Sequence, residues 1–474
     1  MGRCEELGYR AQLQLPELGA SSAAAGGQPP RTPKLNWETG EGRSYLYPAL
    51  EIVGFDVLLN QFDRHYVDEH VYASNFDTIQ HNLHTNWVFD QDPFSTNQFL
   101  HPYQGSMYYG FARSAGLSYW ESLIYTFAGS AFWEIAGEVD PPSKNDQIAT
   151  GIGGTFFGEP LFRMASLLLE SADGTPSFWR ELGAAVISPS MGFNRLVFGD
   201  RFDAVFPSHH PAAYSRVQLG EAYSDHIRDQ GANVPIEHAE GQVDFMMSYG
   251  MPGKSDYAYT RPFDYFNFQF TASTANIFES ILTRGLLIGT DYAAGKNYRG
   301  IWGLYGSYDY ISPQSFRVSS TAFSLGTTAQ WWLSKSIALQ YTALAGVGYA
   351  AAGVIHGAGE RDYHYGLTPQ ALLAAKLIFA ERANLDLAAR QYYVTSTASP
   401  ESGGSEHITR LDTTLTVRIY RHHALALKYV LSHREARYPD LGNRNQTMGT
   451  IGLYYTWLSS TGFGAVEWRD DAAR

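Results

Sequence analysis

The chain has a single cysteine, Cys4, among its 474 residues, so it cannot build an internal disulfide framework. No apolar run precedes Cys4, which argues against a lipid anchor and leaves it an incidental thiol. Positive charge is also scarce. Lys and Arg number 34 against 47 Asp and Glu, the net charge is -13, and no basic stripe is visible. Nucleic-acid partners are therefore excluded, because phosphate binding needs clustered cations. No apolar stretch reaches the ~18 residues expected of a transmembrane helix. The nearest, Leu117 to Ile135, carries Glu121 and Glu134, which are costly in lipid. The first forty residues hold no apolar core of the kind a secretory signal needs. Residues 1–43 instead read as a disordered leader or linker, with Ala, Gly, Ser and Pro over 19–30. Export then requires a signal outside these residues.

What the chain does have is aromatic residues, at 15% of the total with 32 Tyr, 27 Phe and 10 Trp. Tyr and Trp suit membrane interfaces because each joins an apolar body to a polar tip. From about Gln242 to Trp457 the sequence repeats strand-length segments divided by turn residues. Within them apolar and polar side chains alternate, as they must when successive residues of a strand face opposite sides. Phe266, Phe268 and Phe270 share one face against Tyr265, Asn267 and Gln269. Leu411, Thr413, Leu415, Val417 and Ile419 alternate with Asp412, Thr414, Thr416 and Arg418. Leu425, Leu427, Tyr429 and Leu431 form a third such face, and Ile337, Leu339, Tyr341 and Val347 a fourth.

A soluble sandwich alternates in the same way, with its apolar face inward. A membrane barrel inverts this and turns the apolar face to lipid. Long segments, apolar faces rich in Tyr, Trp and Leu, and polar faces holding Gly, Thr and isolated charges favour the membrane. The expected fold is a transmembrane antiparallel β-barrel preceded by an α-helical region. About eleven strands are legible, and one more near Arg216 to Gly220 makes twelve; such barrels have even strand numbers, and ten or fourteen stay open. Asp386, Arg390, Arg418 and Lys428 fall on the lumen face and would set any selectivity. The expected layout is a leader over 1–43, helices over 44–205, a connection over 206–240, the barrel over 241–458 and a tail over 459–474.

The last strand, Thr450 to Trp457, resembles the assembly signal of outer-membrane barrels. Thr450, Gly452, Tyr455 and Trp457 occupy the polar, glycine and aromatic positions. The departure is that seventeen residues follow, whereas the signal usually ends the chain. The resemblance implies outer-membrane lipids as surroundings and the barrel-assembly machinery as a partner during biogenesis.

Ahead of the barrel, periodicity predicts helices over Ser106 to Leu117, Tyr119 to Gly137 and Asp146 to Glu170. Ser143 or Asn145 is placed to cap the third. The run Trp87-Val88-Phe89-Asp90-Gln91-Asp92-Pro93-Phe94 is followed by Asn97-Gln98-Phe99-Leu100-His101-Pro102-Tyr103-Gln104-Gly105. Arg113, Trp133-Glu134, Pro142-Ser143, Asn145-Asp146, Gly158-Glu159 and Arg163 come after it. Together these residues resemble the bacterial family called domain of unknown function 3943, over roughly residues 50 to 170. The resemblance implies a Gram-negative envelope protein with helices ahead of a barrel, and it implies no activity.

His101, Arg113, Glu134, Asp146, Glu159 and Arg163 are ionisable groups in an aromatic, apolar stretch. Buried charges must pair or bind something. One reading is a salt-bridge network, with Arg113 and Arg163 offsetting Glu134 and Glu159. The other is a polar site at the barrel mouth, catalytic or lipid-binding. His101, Ser130 and Glu134 are the best acyl-hydrolase candidates, although no G-x-S-x-G elbow is present. His81 and His84 have no zinc-site spacing, so neither a metal nor a cofactor is expected. Gly154 and Gly158, four apart, suit close helix approach better than a phosphate loop. The expected function is a non-enzymatic outer-membrane barrel for envelope structure, transport or ligand binding. The alternative is an outer-membrane enzyme acting on lipid or lipopolysaccharide.

Overall fold

The computed structural model describes residues 33–468 apart from Gln91, 171–175, 226–227, 230–237, Ser315, 354–360, Asp362, 398–403 and 439–441. Most of the expected leader, with Cys4, lies outside the described residues.

Twelve long antiparallel strands close into a ring. They are β1 (Tyr214–Ser224), β2 (Ala239–Tyr249), β3 (Phe266–Ser273), β4 (Ser280–Ala294), β5 (Tyr298–Ile311) and β6 (Arg317–Trp332). There follow β7 (Ile337–Gly353), β8 (Tyr363–Phe379), β9 (Ala383–Thr395), β10 (Ser405–Tyr420), β11 (His423–Tyr438) and β12 (Gly442–Leu458). Neighbours in sequence are neighbours in space, and β1 pairs with β12 from Arg216↔Leu458 to Ser224↔Thr450. A two-residue strand, Arg228–Asp229, adds to β12 at Gln446 and Thr447 outside the ring. Closure leaves no exposed edge, the condition for a sheet to cross lipid. On β9 to β12 the outward side chains are exposed and apolar, among them Leu387, Leu411, Leu415, Leu427, Leu453 and Trp457. The inward ones, including Arg390, Thr414, Lys428 and Thr456, are buried. The protein is therefore a transmembrane β-barrel, with the inverted alternation that separates it from a sandwich.

The lumen is filled. Arg216 bonds Asp386 at 2.7 Å, Arg390 bonds Asp412 at 3.0 Å, and Lys428 reaches Asp244 at 3.2 Å. The first and third of these pairs cross the interior between strands that are not neighbours, while Arg390 and Asp412 lie on adjacent strands. The cavities left among the lumen side chains are of about 110, 30 and 20 Å³. Arg418 lies apart, at the rim, where it pairs with Glu381 at 3.2 Å. At that end the strands join by short turns except between β2 and β3, and the segment after β12 folds back inside. The Val466 carbonyl accepts from Gln330 Nε2 and Trp332 Nε1 at 2.6 and 3.0 Å. Trp468 Nε1 donates to the Lys296 carbonyl at 2.9 Å, and Phe463 is fully buried.

Among the described residues, eight α-helices precede the barrel. The ones that matter here are α1 (Leu46–Tyr66), α2 (Phe76–His84), α3 (His101–Ser114), α4 (Tyr119–Ala136), α5 (Lys144–Ile148) and α6 (Gly154–Leu169). Ser118 and Glu121 form a capping box at the start of α4, and Ser143 caps α5 by accepting from Asp146 N–H. The helix expected from Asp146 to Glu170 is α5 and α6 joined by one π-helical turn, Ala149–Gly153. A second π turn, Thr96–Leu100, leads into α3. Gly105 and Gly154 face each other where α3 crosses α6. A Cβ on Gly154 would stand 2.6 Å from the Gly105 Cα, so only glycine permits this approach.

The helices neither plug the lumen nor sit beneath the barrel. They pack against its outer wall. Phe157 stacks on Phe268, Phe156 lies over Gly306 and Phe323, and Thr283 Oγ1 donates to the Phe156 carbonyl at 3.1 Å. Phe268, Thr283, Gly306 and Phe323 are all on the outward face. Contact runs from Phe263 and Tyr249 at the short-turn end to Tyr310 and Tyr363 at the other. The helices thus occupy the level of the wall that lipid covers elsewhere. Their far faces expose Leu50, Val57, Ile124, Trp179 and Val186. Among the described residues no helix is long and apolar enough to cross a membrane by itself.

Candidate functional site

Two polar clusters lie within the helices, and they differ in charge balance. The first centres on Glu159 in α6. Arg113 Nε donates to its Oε2 at 2.8 Å and Arg163 Nε to its Oε1 at 2.7 Å. Tyr109 OH adds a 2.7 Å bond. Arg163 then reaches Asp264, in the β2–β3 connection, at 2.9 Å, and donates to the Pro262 carbonyl at 2.8 Å. Burial would raise the Glu159 carboxyl, but Arg113 and Arg163 more than offset that and hold it below the usual range. Arg113 also lies 4.6 Å over the Phe162 ring. This cluster is a clamp between helices and barrel, with paired charges and no free chemistry.

Glu134 does not belong to it. The expectation that Arg113 and Arg163 offset Glu134 is corrected here, since both guanidinium groups are taken by Glu159. Glu134 instead joins the second cluster, with His101 and Asp146. One ligand atom from each of these three buried residues lies within 4.8 Å of the other two. His101 Nε2 stands 3.9 Å from Asp146 Oδ2, and its Nδ1 faces Thr150 Oγ1 at 3.4 Å. Glu134 Oε2 accepts from Ser143 N–H at 2.8 Å. Asn145 Nδ2 donates to Asp146 Oδ1 at 3.1 Å. The three come from the start of α3, the end of α4 and α5, so their spacing in the chain shows no metal signature although the fold gathers them.

More acid surrounds this cluster. Asp90 accepts from Asn97 and Asn145, and Glu138 accepts from Trp133 Nε1 at 2.7 Å. Among the described residues no Lys or Arg pairs with Glu134 or Asp146. Burial, then the Asp146 and Glu138 charges, push the Glu134 carboxyl well above its usual range. Burial, then Asp90, does the same to Asp146. Burial raises Glu138 to about 7. Ser130 is buried one turn before Glu134, but its Oγ has no hydrogen-bond partner. No base activates it, so the Ser130–His101–Glu134 hydrolase arrangement is not assembled.

The barrel wall completes the surroundings. Tyr365 OH accepts from Asn145 Nδ2 at 2.8 Å and from Gln98 Nε2 at 3.1 Å, and Tyr363 OH accepts from Asn97 Nδ2 at 2.9 Å. The site therefore lies between the helices and the outer wall, not at the barrel mouth. Asp90, Asn97, Asn145, Thr150, Tyr363 and Tyr365 were not among the candidates. The signal for three of them was the dense polar run that carries the family resemblance. The tyrosines look like any outward aromatic of a lipid-facing strand. The exposed His81 and His84, on α2, take no part.

Fold and site together define a barrel of the outer-membrane type with a helical unit docked on its wall. Residues 86–190 match the family model described as Domain of unknown function (DUF3943), and this stretch holds both clusters apart from their barrel partners. No curated protein matches the chain. Among solved structures, the OmpF porin of Salmonella typhi in complex with daunomycin aligns at 7% identity and a TM-score of 0.21, covering 52% of this chain and 97% of that one. The Pseudomonas putida toluene transporter TodX aligns at 9% and 0.23, covering 53% and 90%. The outer membrane channel DcaP of Acinetobacter baumannii aligns at 6% and 0.24, covering 52% and 96%. At these scores the barrel assignment rests on the chain's own ring closure and apolar belt.

Proposed function

We propose that this protein is a non-conducting outer-membrane barrel that anchors its helical unit in the bilayer plane and holds the buried polar site against its wall. The supporting observation is the filled lumen. Ion pairs and packed side chains leave separate cavities of about 110, 30 and 20 Å³, and Phe463, Val466 and Trp468 close the short-turn end. A permeation path needs continuous, loosely held space. In planar bilayers the purified protein gives no stepwise conductance. Deleting residues 459–474 opens one end and yields at most small, brief steps, because the ion pairs remain. Large, reproducible steps from the intact chain would overturn this reading and restore transport through the lumen.

Delivery to the outer membrane fits the last strand. Tyr455 and Trp457 point outward and are exposed, available to assembly machinery that recognises an aromatic-bearing final strand. Replacing both by Ala lowers the amount of heat-modifiable barrel in the membrane fraction while synthesis continues. Undiminished barrel would show that this strand is not the recognised element.

A further inference from the structure

The second cluster has the wrong charge balance for a structural network. Glu134 and Asp146 are each at least nine-tenths buried, and within contact distance they have one imidazole between them. Glu159, the buried acid of the first cluster, has two arginines; these have none. An ionised carboxylate without a cation is costly in such a setting, so the cluster must either hold protons or hold a cation.

We propose that His101, Glu134 and Asp146 bind one divalent transition-metal ion of the Zn²⁺ or Mn²⁺ class. The donor set, one imidazole nitrogen and two carboxylate oxygens, suits these ions. The surrounding bonds orient the donors. Thr150 Oγ1 faces His101 Nδ1, which leaves Nε2 turned to Asp146. Ser143 N–H and Asn145 Nδ2 each hold one carboxylate oxygen of Glu134 and Asp146. Partners of this kind fix ligand geometry in metal sites. A further observation is Ser130 Oγ. It is buried without a partner one helical turn before Glu134 on α4. The ligand atoms now span up to 4.8 Å. Around an ion at ~2.1 Å they stand about 3.4 Å apart, so binding draws them together. The π turn Ala149–Gly153, which carries Thr150, and the π turn that ends just before His101 flank the site, and such turns recur at functional sites.

The test uses the full chain in detergent after dialysis against a chelator. Zn²⁺ is titrated calorimetrically, and Co²⁺ is added separately to read its visible absorption. One Zn²⁺ per chain binds, and Co²⁺ develops ligand-field bands that Zn²⁺ abolishes. His101→Ala and Asp146→Asn each weaken Zn²⁺ binding at least tenfold, while His81→Ala, an exposed histidine nearby, binds as the parent does. A parent protein that takes up no Zn²⁺ and shows no Co²⁺ bands overturns the site and means that the carboxylates are protonated. So does binding that survives His101→Ala and Asp146→Asn. The parent's Co²⁺ spectrum decides the question even if a variant fails to fold, and neither readout depends on whether the lumen conducts.

Discussion

Arg163 is fully buried and links two anionic partners, Glu159 and Asp264, so its removal leaves Glu159 with Arg113 alone and Asp264 with the half-exposed Arg261. Breaking such a pair costs roughly 3–5 kcal/mol. Arg163→Ala therefore lowers the thermal midpoint in detergent sharply, whereas Arg195→Ala, at the less buried pair with Glu181, shifts it slightly. Equal shifts would mean that the clamp is not what joins helices to wall. Asp56, on α1, presents a different case. Tyr108 and Gln104 hydrogen-bond around it, but burial dominates and lifts its carboxyl to about 8. A raised carboxyl favours the protonated folded state. The stabilisation is complete below the unfolded value near 4 and disappears as the pH rises through about 8. Thermal midpoints of the parent should fall across that window, and Asp56→Asn should flatten the fall. An unchanged slope in the variant would assign the pH dependence to another group.

Strands announce themselves because their period is two and their two solvents differ. On β10, Leu415 is 42% exposed on the lipid face and Thr414 3% exposed inside. An Arg at the lipid-facing midplane costs about 2–4 kcal/mol, so Leu415→Arg should weaken folding into vesicles by that order, read by urea titration. The packed lumen makes the inward neighbour sensitive as well. Thr414 pairs with Lys428 on β11, so Thr414→Arg sets a second cation beside Lys428 and is also destabilising. A neutral Leu415→Arg would contradict the register. The same periodicity that exposes the strands hides the helix docking. Phe266, Phe268 and Phe270 read as lipid-facing and do face outward, but α6 covers Phe268 rather than lipid. An aromatic that meets a helix and one that meets a lipid tail obey the same alternation. The metal-ligand set is hidden for another reason. Its members lie on three helices, and only the crossing of α3 with α6, tight enough to demand Gly105 and Gly154, brings His101 into line with Asp146. Glu159 and Arg163, by contrast, were legible as a pair, because four residues along a helix place them on one face.

At the scale of the molecule, the barrel and the helical unit share one wall, and Gly306 is where they fit most closely. It points outward from β5 beneath Phe156. A Cβ there would come within 2.6 Å of that ring, which is itself held by Phe263 and Phe323. The ring has no room to retreat, so Gly306→Leu should push α6 off the wall. The lumen, on the opposite face of the strand, is untouched, and the barrel should keep its heat-modifiable gel migration. The helical unit should lose its protection, with trypsin cutting after Arg113 or Lys144 in the folded variant but not in the parent. The Tyr363 and Tyr365 contacts to Asn97 and Asn145 lie on the same interface, so Zn²⁺ affinity should fall along with protection. If the variant stays as resistant to trypsin as the parent, the helices are held by something other than this wall, and the barrel is not the platform on which the site is built.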